Sequence, residues 1–191
     1  MSPTPSNPKP TEGNQAMSTS KAGILTINTA QIAQTSNKLD RDARYSIIER
    51  LNEVLAGLLD TGLPARHAHW NVRGPSFMAM HDLFGKIAVD VDRHADAIAE
   101  RTAALGGVAD GTVQAVARES MLAPYPALAI SQGEHVDAMS LRLAALASRV
   151  RRAATACDHD CDPVSAHLLL ESAATIEKSL WLVESHRITS S

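Results

Sequence analysis

The stretch that indicates the fold covers residues 67–81 and reads HAHWNVRGPSFMAMH. Its middle, Arg73-Gly74-Pro75, is a turn signal, because glycine tolerates turn conformations and proline fits the first position of a helix. Apolar residues at helical spacing lie on both sides, so the stretch predicts two helices joined by a tight turn. His69 and His81 lie on opposite sides of this turn and can face one another. Histidines in helical proteins serve either packing or metal ligation, and both remain open at this point.

Helical spacing of apolar residues extends outward from this hairpin in both directions. The first helix is predicted to begin near Leu39. Gly62 and Pro64 are expected to interrupt and kink it before it resumes toward the turn. The second helix is predicted to begin at Pro75 and to stop at Gly106-Gly107, because glycine commonly ends helices.

A long connection follows the second helix, and it is predicted to carry a short helix over residues 112–118. Pro124-Tyr-Pro126 is expected to open a third long helix, at about 127–156, and a last helix follows Pro163. Four long helices with one extended crossover indicate an all-α, ferritin-like four-helix bundle with a short extra helix between helices 2 and 3.

Composition agrees with a helical domain of ordinary size. The chain has 191 residues, of which 45% are hydrophobic and only 3% aromatic, and its net charge is -3. The charge argues against a strongly basic nucleic-acid-binding domain. No apolar run is long enough to span a membrane and no signal peptide is visible, so no membrane partner is expected. The only cysteines, Cys157 and Cys161, fit a reducing compartment, and the cytoplasm is the expected location.

Residues 1–37 are rich in Pro, Ser, Thr, Asn and Gln, a composition typical of a disordered arm. The sequence therefore predicts a flexible N-terminal tail over 1–37 and a bundle over 38–188. Met17 is an alternative start of the chain, and the sequence does not decide between Met1 and Met17.

Asp96 and Glu100 lie four residues apart on the second helix, so they share one face. His81 precedes Asp96 by fifteen residues, which is roughly 22 Å along a helix, so these groups cannot bind one ion within a chain. Two chains packed antiparallel about a two-fold axis would bring His69 and His81 of one chain against the acids of the other, twice. Such a mixed imidazole and carboxylate set suits iron.

An alternative reading of the same residues needs no metal. Asp96 pairs as readily with Arg93, and Glu100 with Arg101, on a solvent-exposed helix face. The Glu-x-x-His pattern of an iron site inside one bundle is absent from the sequence, which disfavours a site built within a single subunit.

The residues AHWNVRGPSFMAMHDLF, followed by DRHADAIAERTAALGG, resemble the signature of the Dps family, the mini-ferritins named as DNA-binding proteins from starved cells. The likeness extends more weakly from about residue 40 to LWLVES at 180–185. It implies a hollow homododecameric shell with ferroxidase sites at two-fold interfaces. Iron(II) is oxidised there, preferentially by hydrogen peroxide, stored as a ferric mineral and kept from damaging DNA.

The resemblance assigns the iron ligands His69, His81, Asp96 and Glu100, and it places Trp70 beside the site. Trp70 either takes up stray oxidising equivalents or simply fills the interface with a large ring. One position departs from the family pattern. The family commonly has an acid four residues after the second histidine, where this chain has Gly85, so the second iron position is expected to be poor in protein ligands.

The resemblance also suggests a pore residue and contacts for DNA. The acidic stretch ACDHDCDPVSAH near the last turn corresponds to the three-fold pore of the family, and Asp162 is the candidate pore residue for iron entry. From the residues themselves, Cys157 and Cys161 are expected to be free thiols, the alternatives being soft-metal ligands or a strained local bridge. Lys9 and Lys21 of the tail are candidate contacts for non-specific DNA binding. The alternative function is therefore a DNA-coating shell with a weakened ferroxidase site.

Overall fold

The computed structural model describes residues 32–187, and within them the chain forms five helices and no strand. The helices are α1 (Arg41–Asn71), α2 (Phe77–Ala104), α3 (Val113–Glu119), α4 (Gln132–His159) and α5 (Pro163–Glu184). α1 packs against α2 and α4 against α5, and these two hairpins meet through α1 with α4 and α2 with α5. The short helix α3 lies in the crossover and packs on α1. The predicted four-helix bundle with a small crossover helix is confirmed.

The predicted interruption of the first helix is wrong, because α1 continues through Gly62 and Pro64 without a break. Proline has no N–H to offer the carbonyl four residues earlier, which here belongs to Asp60. The guanidinium of Arg142 on α4 donates to that carbonyl at 3.0 Å and to the Asp60 carboxylate at 2.9 Å. A side chain from a neighbouring helix therefore supplies the hydrogen bond that Pro64 cannot make.

Two helix starts differ from the predictions. α2 begins at Phe77 with Ser76 as its N-cap, two residues beyond Pro75, a difference of the size usual at helix ends. α4 begins at Gln132, five residues after the predicted start at 127. Ser131 and Glu134 form a capping box there, since the Ser131 hydroxyl accepts from the Glu134 N–H and the Glu134 carboxylate accepts from the Ser131 N–H.

The turn between α1 and α2 is held against the start of α4. The Arg73 N–H donates to the Ile130 carbonyl at 2.8 Å, and the Gln132 N–H donates to the Arg73 carbonyl at 3.0 Å. Gly74 has φ 152°, a conformation that side-chain-bearing residues rarely adopt. The hairpin that carries His69 and His81 is thus fixed by a third element.

Asp162, the candidate pore residue, has a structural role within the subunit. It is the N-cap of α5, its side chain is only 2% exposed, and both carboxylate oxygens accept from Arg101 at 2.9 Å. The assignment of Asp162 to a three-fold pore stays a prediction, because such a pore forms between subunits. Cys157 is buried and Cys161 exposed, and both are free thiols as predicted. Burial raises the pKa of Cys157 to about 11.

The bundle makes its first contact before residue 38. Ile32 is buried against the core, and the Ala33 N–H donates to the Gly106 carbonyl at 2.8 Å. Gly106 has φ 88°, and a Cβ at this position would lie 2.6 Å from the Ala33 carbonyl oxygen. Residues 32 and 33 therefore pack on the bundle, within the range that the sequence assigned to the tail. Lys9 and Lys21 lie outside the described residues.

Candidate metal centre

His69, in the last turn of α1, and His81, in the second turn of α2, are stacked on each other. Their ring centroids are 3.7 Å apart, with an angle of 24° between the planes. The Nδ1 atom of His69 lies 2.7 Å from the His81 carbonyl oxygen, and the Nδ1 atom of His81 lies 2.8 Å from the His69 carbonyl oxygen. These two residues, called here the stacked pair, therefore anchor each other by reciprocal hydrogen bonds.

The reciprocal bonds fix the tautomer of both rings. A carbonyl oxygen only accepts hydrogen bonds, so each Nδ1 atom must carry the proton. Each Nε2 atom then has a free lone pair, which is the form of imidazole that binds a metal. Metal-binding histidines usually donate their second ring N–H to a carbonyl or carboxylate, which orients the ring. The stacked pair has this arrangement twice.

Gly85, one turn after His81 on α2, lies directly against the ring of His69. A Cβ atom at this position would lie 2.9 Å from Nδ1 and 3.2 Å from Cε1 of His69. The missing side chain thus provides the space in which the ring of His69 sits. From the sequence Gly85 is visible only as a missing acid, because its packing partner lies on another helix.

Asp96 and Glu100 lie on the exposed face of α2, four residues apart. Within residues 32–187 neither carboxylate has a hydrogen bond or an ion pair, and the alternative pairings with Arg93 and Arg101 are not formed. Arg101 is instead engaged by Asp162 and Ser165. The two acids are therefore available to a cation from outside the subunit.

The stacked pair and the two acids are separated along one straight element. Because α2 is continuous from Phe77 to Ala104, His81 and Asp96 are fifteen residues, or roughly 22 Å, apart. No three His, Cys, Asp or Glu side chains converge on one metal position in the described part of the chain. One subunit thus holds the four candidate ligands in two separate groups.

Apolar side chains are exposed around these groups. Trp70 is 70% exposed beside the stacked pair, and Leu63, Phe77 and Met78 are exposed on the same hairpin. Exposed clusters of this kind commonly mark surfaces that contact another protein. None of the helices between residues 32 and 187 is long and apolar enough to cross a membrane.

Comparisons with known proteins agree with the helical architecture. Residues 48–188 match the family model described as "Ferritin-like domain". The chain is 37% identical over 153 residues to the DNA protection during starvation protein of Agrobacterium fabrum, covering 80% of this chain and 94% of the relative. It is 30% identical over 140 residues to the protein of that name from Mycolicibacterium smegmatis, covering 73% and 76% of the two chains.

Solved structures give the same result. A tetragonal form of Mycobacterium smegmatis Dps superposes with a TM-score of 0.78 at 28% identity, covering 83% of this chain and 95% of that one. DpsA14 from Streptomyces coelicolor superposes with a TM-score of 0.78 at 30% identity, covering 84% and 95%. The likeness therefore extends over most of the bundle and over most of each relative, and the chain belongs to the Dps family of ferritin-like proteins.

Proposed function

We propose that this protein is a ferroxidase and iron store, with iron sites shared between two subunits of a hollow homododecameric shell. The observation that carries the proposal is the stacked pair, in which both Nδ1 protons are held by carbonyls and both Nε2 lone pairs remain free. In each site, His69 and His81 of one subunit act with Asp96 and Glu100 of its two-fold mate. Iron(II) is the substrate, and the ferric mineral is the stored product.

The oxidation needs an acceptor for the electrons, and hydrogen peroxide is the proposed one. Two iron(II) ions give up one electron each, the O–O bond of peroxide breaks, and both oxygens leave as water after taking up two protons. Carboxylates stabilise the higher charge of iron(III) more than neutral imidazoles do, because the attraction grows with the charge of the ion. Asp96 and Glu100 therefore favour the oxidised product, and the histidines orient the incoming ion.

The exposed apolar residues of the hairpin support a two-fold contact. Leu63, Trp70 and Met78 are exposed in the single subunit. An antiparallel mate that covers them would also bring its acids toward the stacked pair, so one interface contains two sites. Trp70 is then placed beside each site, where it fills the contact or takes up stray oxidising equivalents.

Gly85 limits the ligands of a second iron position. It offers no oxygen, and the ring of His69 occupies the space beside it. We expect one strongly held iron per site and a second held mainly by water and His81, with slower peroxide consumption as the result. We place the protein in the cytoplasm, where iron(II) is supplied.

Anaerobic titration with iron(II), followed by peroxide, tests the proposal. Fast oxidation and a soluble ferric core are expected from the assembled protein. Replacement of both His69 and His81 by glycine, or of Asp96 by alanine, abolishes fast oxidation and leaves the shell intact. The matched control is His159→Gly, since this histidine lies on the surface away from the hairpin. A fully assembled shell that oxidises iron no faster than free solution contradicts the proposal.

Mixed shells test whether the site is shared. One subunit type lacks the stacked pair, and the other lacks both acids. Each type alone has no complete site. In a dimer of the two types, one site loses both halves and the other keeps both. Such a dimer recovers half of the fast oxidation, and shells mixed at random in equal amounts recover about a quarter. If mixed shells stay inactive, the ligands do not come from two subunits.

A second function, non-specific DNA binding, is favoured by the names of the relatives, which describe DNA protection. Lys9 and Lys21 are the proposed contacts. Each subunit of the shell carries one copy of both, so many weak contacts add together. Gel-shift assays at low and moderate salt test this, since binding through lysines weakens steeply with salt. Replacing both lysines with alanine must reduce binding. Unchanged binding assigns it to another surface.

A further inference from the structure

A second pair of histidines lies inside the subunit. His67 on α1 and His135 on α4 have ring centroids 6.1 Å apart, with planes tilted by 59°. His135 is completely buried, with the rings of Phe84 and Tyr125 about it. Since His67 and His69 are two residues apart on a helix, their side chains leave α1 in different directions. We call His67 and His135 the inner pair.

The Nε2 atoms of both inner histidines are buried and have no hydrogen-bond partner among the described residues. The other nitrogen of each ring is engaged. Nδ1 of His135 lies 2.9 Å from the Tyr125 hydroxyl, and Nδ1 of His67 lies 3.4 Å from the Asn71 side-chain nitrogen. A buried polar atom without a partner costs about 1–3 kcal/mol, so two such atoms in adjacent rings require an explanation.

The surroundings of His135 disfavour a positive charge on its ring. Burial lowers the pKa of His135, and the neighbouring His67 lowers it further. The acids of the region are already engaged, because Asp60 accepts from Arg142 and Glu134 caps α4. Any cation between the two rings therefore meets two neutral nitrogen donors and no free carboxylate.

We propose that His67 and His135 form a copper(I) site within each subunit, separate from the iron site. Imidazole nitrogen binds copper well. The cost of burying an ion grows with the square of its charge, so a site with only neutral donors favours a monovalent ion over a divalent one. Zinc is disfavoured further, because structural zinc sites use four ligands.

The separation of the rings is compatible with one bound ion. Metal–imidazole bonds are about 2 Å long, so two nitrogens on one ion lie up to about 4 Å apart and their ring centroids up to about 6 Å. The observed 6.1 Å lies at this limit. When the ion binds Nε2, the single proton of each neutral ring stays on Nδ1. The Asn71 amide then gives up its 2.8 Å donation to the His67 carbonyl and turns its oxygen toward the Nδ1 proton of His67, and the Tyr125 oxygen accepts from His135.

The inner pair also has a route to the surface. His67, Tyr125 and Arg142 line an open cavity of about 410 Å³ between α1, α4 and the crossover. This cavity brings an ion to the side of His67, and only a local shift of side chains then separates it from the buried Nε2 atoms. Because the ligands belong to one subunit, the site does not need the two-fold contact of the iron site.

Anaerobic titration with copper(I) against the coloured chelator bicinchoninate tests this inference. Full-length shells are used in which both cysteines and the stacked pair are replaced, so that thiols and the iron ligands do not bind copper. One copper(I) per subunit is expected. His135→Phe, which fills the buried space with an apolar ring, and His67→Gln each weaken binding at least tenfold.

The matched control is His94→Gln. His94 is a buried histidine whose nitrogens already have partners in Ser172 and Thr175, so its replacement leaves copper binding unchanged. Copper K-edge absorption must show two nitrogen neighbours in the parent shell. Binding that survives both inner-pair substitutions, or an absorption spectrum without nitrogen ligands, overturns the inference. Absence of copper(I) binding to the parent shell also overturns the inference.

Discussion

Replacing Gly85 with alanine isolates the effect of one methyl group on the stacked pair. The added Cβ would lie 2.9 Å from His69 Nδ1, and ordinary contact begins at 3.4 Å, so the ring must retreat by about 0.5 Å. The ring of His81 is stacked on the ring of His69, with the centroids 3.7 Å apart. The retreat therefore lengthens or breaks the 2.7 Å hydrogen bond that fixes the His69 tautomer.

The stability of the protein changes less than its activity. Alanine in a helix gains about 1 kcal/mol over glycine, and overpacking costs about 1–3 kcal/mol. The net loss in the free energy of unfolding is then about 0–2 kcal/mol, which leaves the bundle folded. A misplacement of about 1 Å in a reacting group costs up to about a hundredfold in rate, so half of that distance costs about tenfold.

Stopped-flow oxidation of prebound iron(II) by peroxide measures the effect. Gly85→Ala is expected to oxidise iron about tenfold more slowly than the parent and to bind the first iron(II) more weakly. Gly133→Ala is the control, since this helical glycine has open space around its Cβ position. If Gly85→Ala oxidises iron at the parent rate while assembled and folded, the ring of His69 does not depend on this space and the reasoning fails.

Three further substitutions test the fold by urea unfolding. Burial raises the pKa of Asp162, but hydrogen bonds from Ser165 and Arg101 outweigh it and leave the pKa below its ordinary value. The stabilisation of the fold by ionised Asp162 is therefore complete above about pH 4 and is lost as the pH falls through the folded pKa. Asp162→Asn removes this pH dependence of the free energy of unfolding. Burial lowers the pKa of His94, so stability falls as the pH drops below about 6.5, where only the unfolded chain takes up the proton. His94→Gln abolishes that loss. Arg142→Leu lowers the free energy of unfolding by about 2 kcal/mol, because the Asp60 carboxylate and the carbonyls of Asp60 and Ala123 lose their donor.

The sequence predicts the elements well where the signal is local. Apolar spacing locates all four long helices, since each buries a stripe of its own residues. The start of α4 was also readable, because Ser131 and Glu134 have the spacing of a capping box, whereas the prolines at 124 and 126 indicated an earlier start. The continuity of α1 was not readable. It depends on Arg142, which lies 82 residues from the carbonyl that Pro64 leaves free.

In the candidate site, too, local sequence patterns predict some features, and other features depend on residues far apart in the sequence. The spacing of His81, Asp96 and Glu100 predicts that one chain cannot close around an ion, and the straight helix α2 agrees. The reciprocal bonds of the stacked pair depend on how the turn brings two helices together, and no local pattern contains that. The position of Asp162 likewise depends on Arg101, 61 residues away, which converts an acidic turn into a buried helix cap.

Because the proposed ligands come from two subunits, iron binding and subunit pairing are coupled at this site. The stacked pair is anchored by its own backbone, so it does not need iron to take up its geometry. Among residues 32–187 Asp96 and Glu100 have no partner, so both carboxylates are open to a cation. An ion bound to both halves exists only in the paired state and stabilises it by mass action, about 2.7 kcal/mol per site at a hundredfold excess over Kd. Two sites per proposed interface double this to about 5 kcal/mol, so we expect iron(II) to strengthen the contact between the two subunits.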